Sequence, residues 1–159
     1  MKKVEKAMTE SSEKISDKTV AKNVKFGFGP HLVLDGYEAD VKRLSSLQFV
    51  YGFLDKLPEV IGMHKISPPY VFHYDGGGKP EDAGITGFVI IAESHISVHT
   101  YPHKKFLTAD VYSCKEFDTE RAAQIIVDTF ALGSFNKRII RRGKEFPQTE
   151  QQEKKVLTA

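Results

Sequence analysis

The run Glu93-Ser94-His95-Ile96-Ser97-Val98-His99-Thr100-Tyr101-Pro102 places a serine directly after a glutamate and a histidine five residues further on. The chain's single cysteine, Cys114, follows twenty residues after that serine. Together these residues could turn a serine into a covalent cofactor and then use it, against the plainer reading of a strand that happens to contain histidines. Other chemistries compete for the same residues. His95, His99 and His103 are spaced by four, which would align metal ligands on a helix. The intervening Ile96, Ser97, Val98 and Thr100, with Pro102 after them, favour a strand, where residues four apart share a face about 13 Å from each other. No metal site is therefore expected. A hydrolase built on Ser94 and His99 would lack the Gly-x-Ser-x-Gly elbow. Plain strand histidines with ordinary hydrogen bonds remain a reading for each of the three taken alone.

Positioning these groups falls to the elements around them. His31 to Tyr37 reads as a first strand with His31, Val33 and Asp35 on one face. Asp40 stands at a helix N-cap, with Leu44, Leu47, Val50, Tyr51 and Leu54 at helical spacing until Pro58 interferes. Tyr70 to Tyr74 is extended after Pro68-Pro69, and the glycine-rich segment Asp75 to Gly84 is a loop. That loop lacks the Lys-Ser/Thr and the following helix of a phosphate-binding loop. Ile85 to Ala92 is a buried strand, the histidine-bearing segment is the next, and Leu107 to Cys114 is another. Asp118 caps a helix with an Ala122, Ile125, Ile126, Phe130 stripe, ended by Gly133, and residues 134–142 return as a basic strand. The pattern predicts an α+β fold: a two-layer sandwich with a largely antiparallel sheet covered by helices on one face.

A chain of 159 residues is sized for one core. Residues 1–24 read as a mobile polar arm, 25–147 as the single domain, and 148–159 as a polar tail. The N-terminus lacks the apolar stretch of a secretory signal, and no apolar run approaches the roughly 18 residues that span a bilayer. One cysteine allows no internal disulfide, which fits a reducing, cytoplasmic setting. A net charge of +2 does not by itself call for nucleic acid. The basic run Lys137 to Lys144 reads first as a solvated edge strand, with an anionic effector site as the alternative.

From about Phe26 to Pro147 the chain resembles the prokaryotic S-adenosylmethionine decarboxylases, pyruvoyl enzymes made as self-cleaving proenzymes. The residues that carry the resemblance are Gly29-Pro30-His31-Leu32, the segment Glu93 to Pro102, and Asp110-Val111-Tyr112-Ser113-Cys114. It implies that Ser94 attacks the Glu93 carbonyl, that the chain breaks between residues 93 and 94, and that Ser94 becomes a pyruvoyl group forming a Schiff base with substrate. His99 would be the processing base and Cys114 the proton donor in turnover. Thr86 stands where the family often has a second serine assisting processing, and it keeps the hydroxyl. The resemblance further implies a homodimer with active sites at or near the interface, and a product that supplies the aminopropyl donor for spermidine synthesis.

Two features qualify this expectation. Ser94 and His99 have opposite parity, so a straight strand puts them on opposite faces, and the reading requires a turn or bulge near residues 94–96. Many family members carry a glutamate four residues after the processing histidine, resembling a ligand for the ribose hydroxyls. Here His103 stands there, followed by Lys104 and Lys105, and a histidine offers no bidentate carboxylate. Related enzymes decarboxylate arginine or ornithine, which is the alternative substrate class, although the added positive charge disfavours a cationic amino acid. A non-catalytic regulatory homologue is a further alternative, but such a chain would be expected to lose Ser94, His99 or Cys114. For substrate contacts, Tyr70, Phe72 and Tyr74 alternate on one strand face and could meet an adenine ring or a sulfonium, or equally pack a core or dimer. His31 and Asp35 read equally as substrate contacts or structural residues.

Overall fold

A computed structural model describes residues 29–143. The expected arm over residues 1–24 and the tail over 148–159 lie outside the described residues, as does Lys144. Strands β1 (Gly29–Tyr37), β2 (Tyr70–Tyr74), β3 (Gly84–Ile91), β4 (Ser94–Tyr101), β5 (Phe106–Ser113) and β6 (Ser134–Arg142) make one sheet in the order β2-β3-β4-β5-β1-β6. Every neighbouring pair is antiparallel. Helices α1 (Val41–Leu44), α2 (Leu47–Val60) and α3 (Thr119–Phe130) complete an α+β two-layer sandwich.

Strand alternation sends one set of side chains to the helices. Leu32 and Leu34, Ile85, Val89 and Ile91, Ile96 and Val98, and Leu107, Ala109 and Val111 are all buried against them. From the helix side come Val50, Phe53, Leu54 and Leu57 of α2 and Ala122, Ile125, Ile126 and Phe130 of α3. Phe53 and Phe130 meet edge-to-face with ring centroids 5.0 Å apart at 71°. Burying each such ring is worth about 1.5–3 kcal/mol, so this pair is a main anchor of the helical layer. Thr100, the buried polar residue of β4, accepts from the Ile85 amide and donates to the Leu44 carbonyl, both at 2.9 Å.

Two local expectations need correction. The helix read as continuous from Asp40 is broken at Ser45-Ser46: Asp40 caps α1 by accepting from the Arg43 amide, and Ser46 opens α2 by accepting from that of Phe49. A serine hydroxyl that takes a backbone amide offers the chain an alternative to continuing the helix. Pro58 does not stop α2, which runs to Val60. Gly133 does not cap α3 either; Ala131 takes the left-handed position with φ 51°. The Asp118 N-cap is as expected and accepts from the Arg121 amide at 2.9 Å.

Candidate active site

The face of the sheet turned away from the helices carries the strand histidines and their polar neighbours in cross-strand rows. One row runs Ile90, His95, Tyr112, His31, Ile140 across β3, β4, β5, β1 and β6. The next but one runs Phe72, Thr86, His99, Thr108, Asp35, Asn136. His31 and Asp35 therefore share a face, as expected, but belong to opposite ends of it. His31 sits with His95, and Asp35 sits with His99.

The first end is built around the Glu93–Ser94 peptide. Ile91 pairs with Ser94, so Ala92 and Glu93 form a two-residue hairpin turn. Segment 64–66 braces that turn: Ala92 donates to the His64 carbonyl at 2.8 Å and Ile66 to that of Ile90 at 3.1 Å. The Glu93 carboxylate accepts from the His64 amide at 3.3 Å and lies 3.5 Å from the His64 ring. Burial pushes this carboxyl up, and hydrogen bonds from the His64 amide, its own amide and the His64 ring outweigh that, leaving it below the ordinary glutamate value. On the other side, the Cys114 amide donates to the Glu93 carbonyl at 2.8 Å. Ser94 has φ 155°, a positive angle at which a side chain costs on the order of 1–3 kcal/mol. Its hydroxyl lies 3.2 Å from His95 Nδ1.

Cys114 comes to this peptide because Ser113 pairs with Ser94. The Ser113 hydroxyl donates to the Lys115 carbonyl at 2.7 Å and accepts from the Lys115 amide at 2.9 Å, closing the turn that presents an exposed Cys114. Gly29 explains how β1 runs past this point. A Cβ there would lie 1.9 Å from the Ser113 carbonyl oxygen and 2.8 Å from the Cys114 Cα. Only glycine lets the two backbones approach so closely.

His99 belongs to the other end. Its Nδ1 lies 3.1 Å from Thr86 Oγ1, which joins the two residues for which the family resemblance implies a part in processing. Of the turn or bulge expected near residues 94–96, the turn is present as the Ala92-Glu93 hairpin with Ser94 strained directly after it, and there is no bulge: β4 pairs residue for residue from Ser94 to Tyr101. Five residues of strand span about 16 Å, so Ser94 and His99 of one chain do not meet. Ser94, His95 and Cys114 are brought together; Thr86 and His99 form a separate pair.

Tyr70, Phe72 and Tyr74 are about half exposed and are not part of the core formed by the described residues. Tyr70 stacks on Phe88 with centroids 5.4 Å apart at 17°. His103 is exposed in the short 3-10 turn Pro102–Lys104 beyond β4. Lys104 beside it is paired with Asp82, which lowers the Asp82 pKa and raises that of Lys104. Part of the positive charge read there is thus already neutralised. No catalytic role was legible for His95, Tyr112, Asp110, Ser113 or Arg142, although all five lie inside segments that the sequence singles out, Arg142 in the basic run Lys137 to Lys144. Arg142 caps the Tyr112 ring at 4.4 Å, and His31 Nε2 lies 3.1 Å from Asp110.

An antiparallel sheet covered on one face thus brings a serine, a cysteine and the Glu93 carbonyl together at a strained hairpin. The S-adenosylmethionine decarboxylase family model matches residues 30–143. The S-adenosylmethionine decarboxylase proenzyme of Pyrococcus abyssi is 33% identical over 124 residues, covering 74% of this chain and 80% of that protein. The proenzyme of Aquifex aeolicus is 28% identical over 130 residues, covering 81% and 91%. A crystal structure of the adenosylmethionine decarboxylase from Aquifex aeolicus superposes with TM-score 0.65 at 26% identity, covering 79% of this chain and 97% of that one. The chain belongs to the S-adenosylmethionine decarboxylase family, which places it among the carboxy-lyases. No helix among the described residues is long and apolar enough to cross a membrane.

Proposed function

We propose that this chain is a self-cleaving proenzyme that matures into a pyruvoyl-dependent S-adenosylmethionine decarboxylase, working as a cytoplasmic homodimer. The observation that carries this reading is the Glu93–Ser94 peptide, held at a positive φ with its carbonyl on the Cys114 amide. An unstrained amide is a poor electrophile, so chain cleavage needs a placed nucleophile and a donor for the oxyanion. Ser94 supplies the hydroxyl next to the Glu93 carbonyl, and the Cys114 N–H supplies the donor. Attack converts the Glu93–Ser94 amide to an ester. Removal of the Ser94 α-proton by His99 then expels the Glu93 carboxylate, separating residues 1–93 from residues 94–159.

The separation of Ser94 from His99 supports a proton transfer shared between two chains. His99 lies about 16 Å along the strand from its own Ser94, out of reach. In the homodimer proposed here, the Thr86–His99 pair of the second copy supplies that base, once for each protomer by symmetry. The open face suits such cover: Tyr70, Phe72, Tyr74, Phe88 and Ile140 are at least a third exposed there. Thr86 orients the His99 ring through its Nδ1.

The pyruvoyl group formed from Ser94 would supply an electron sink for the electrons released with carbon dioxide. The residues present fit it, since Ser94 is partly buried beside His95 and faces the turn that carries Cys114. Cys114 Sγ holds the proton that the product α-carbon takes up. Tyr70, Phe72, Tyr74, His31, Asp35 and His103 line or border the open face and are the candidates for substrate contact. The relatives' names support S-adenosylmethionine as substrate, and the Asp82–Lys104 pair weakens the charge argument against arginine or ornithine. Carbon dioxide release measured from S-adenosylmethionine, arginine and ornithine in parallel tests the assignment. Release from the sulfonium substrate alone is expected, and release from either amino acid alone would overturn it.

A further inference from the structure

The maturation scheme leaves unused the imidazole that touches the reacting hydroxyl. Ser94 Oγ is 3.2 Å from His95 Nδ1, within the range of direct proton transfer, whereas His99 is engaged by Thr86. We propose that His95 is the base that takes the Ser94 hydroxyl proton during ester formation, so that two histidines divide the maturation: His95 makes the ester and His99 eliminates it. The inference rests on the self-cleavage reading above and adds to it the residue that starts the reaction.

The surroundings hold His95 in the form this role needs. Its ring stands edge-on to Tyr112, with centroids 5.7 Å apart at 67°. Tyr112 is fixed in turn by Arg142 over its ring and by His31, tilted at 5.3 Å. The groups facing His95 are His31 on β1, Asp110 and Tyr112 on β5, and Arg142 on β6; across on β3 it pairs with Ile90. Asp110 would favour a protonated ring, but it is engaged by His31 at 3.1 Å and by Ser97 Oγ at 3.4 Å. Burial, then His31, then Arg142 outweigh it and hold His95 below the ordinary imidazole value, as a neutral acceptor at neutral pH. Nδ1 accepts when the ring proton resides on Nε2.

The step balances without any added reagent. The Ser94 O–H bond breaks and its proton goes to His95 Nδ1 while Oγ bonds the Glu93 carbonyl carbon. The carbonyl electron pair moves to the oxygen held by the Cys114 amide. His95 then returns the proton to the Ser94 nitrogen as the C–N bond breaks. Amide and ester are isomers, so nothing is oxidised or reduced.

Three full-length proteins test this: wild type, His99→Ala and His95→Ala, each followed by intact mass and by hydroxylamine, which cuts an ester but not an amide. Wild type should cleave. His99→Ala should stall as an ester that hydroxylamine cuts, and His95→Ala should stall as a resistant amide, slowed about 10²- to 10⁴-fold. Added imidazole should restore part of the His95→Ala rate, and His95→Gln, which keeps volume and polarity, should stay slow. The wild-type rate should fall on acidification with a midpoint below the ordinary histidine value of about 6.5. Wild-type cleavage in His95→Ala, or its arrest as a hydroxylamine-sensitive ester, would overturn the assignment and leave self-cleavage standing. A wild-type chain that never cleaves would instead remove the self-cleavage reading itself.

Discussion

Co-producing two processing-dead variants, Ser94→Ala and His99→Ala, distinguishes maturation within one chain from maturation across two. Within a chain, the strand from Ser94 to His99 spans about 16 Å, against the roughly 3 Å that a proton transfer requires. No rotamer of either residue closes that gap while β4 keeps its ladder to both neighbours. Each variant alone lacks one partner at both of its sites. A mixed dimer has one site with Ser94 from the His99→Ala chain and His99 from the Ser94→Ala chain. With equal amounts and random pairing, roughly half of the His99→Ala chains sit in such dimers, so up to roughly half should be cut. Loss of a general base costs about 10²–10⁴ in rate, so each variant expressed alone should show almost none. Differently tagged chains resolved by mass spectrometry give the yield. Co-production without any cleavage of the His99→Ala chain, from dimers shown to be mixed, would refute the assignment across the interface.

Further expectations rest on other parts of the site. Gly29→Ala should destabilise the fold by about 2–4 kcal/mol through overpacking and a strained φ, and should slow cleavage by shifting Cys114; chemical denaturation in a Ser94→Ala background checks the first, and a loss within 0.5 kcal/mol would contradict it. Thr86→Ser should mature at close to the wild-type rate and Thr86→Val about tenfold or more slowly, as followed by gel, because only the hydroxyl engages His99 Nδ1. The Glu93 carboxyl is held below the ordinary value, so its contribution to stability is present above about pH 4.3 and is lost as pH falls through the lowered folded value. In the Ser94→Ala background, Glu93→Gln should therefore flatten the acid side of the stability curve, by no more than about 1 kcal/mol because the His64 ring is exposed.

The strands were legible because their alternation is strong and their borders are marked. Tyr70–Tyr74 matches its expected span because Pro68-Pro69 precede it and the glycine-rich loop follows. The break between α1 and α2 was hidden, since Leu44 and Leu47 keep a helical spacing across it and only the Ser46 cap reveals it. At the site, the opposite parity of Ser94 and His99 is legible in the sequence, which calls for a turn or bulge near residues 94–96 to reconcile them. The turn lies at Ala92-Glu93, the ladder beyond it shows no bulge, and the separation of the two residues becomes a property of the fold rather than a defect of the motif. The convergence of His95, Tyr112, His31, Asp110 and Arg142 was illegible for another reason. It depends on β1 lying between β5 and β6, and no local pattern encodes that strand order.

Everything proposed for this chain rests on Ser94 being the point where the backbone breaks and a ketone is made. Intact mass of the purified protein under denaturing conditions, alongside Ser94→Ala, tests that most directly. Wild type should yield two polypeptides, residues 1–93 with an ordinary carboxylate and residues 94–159 with no terminal amine, which sodium borohydride reduces; Ser94→Ala should stay one chain. A wild-type protein that remains a single chain of 159 residues, or one cut before Ser94 with a free serine amine, would contradict the account.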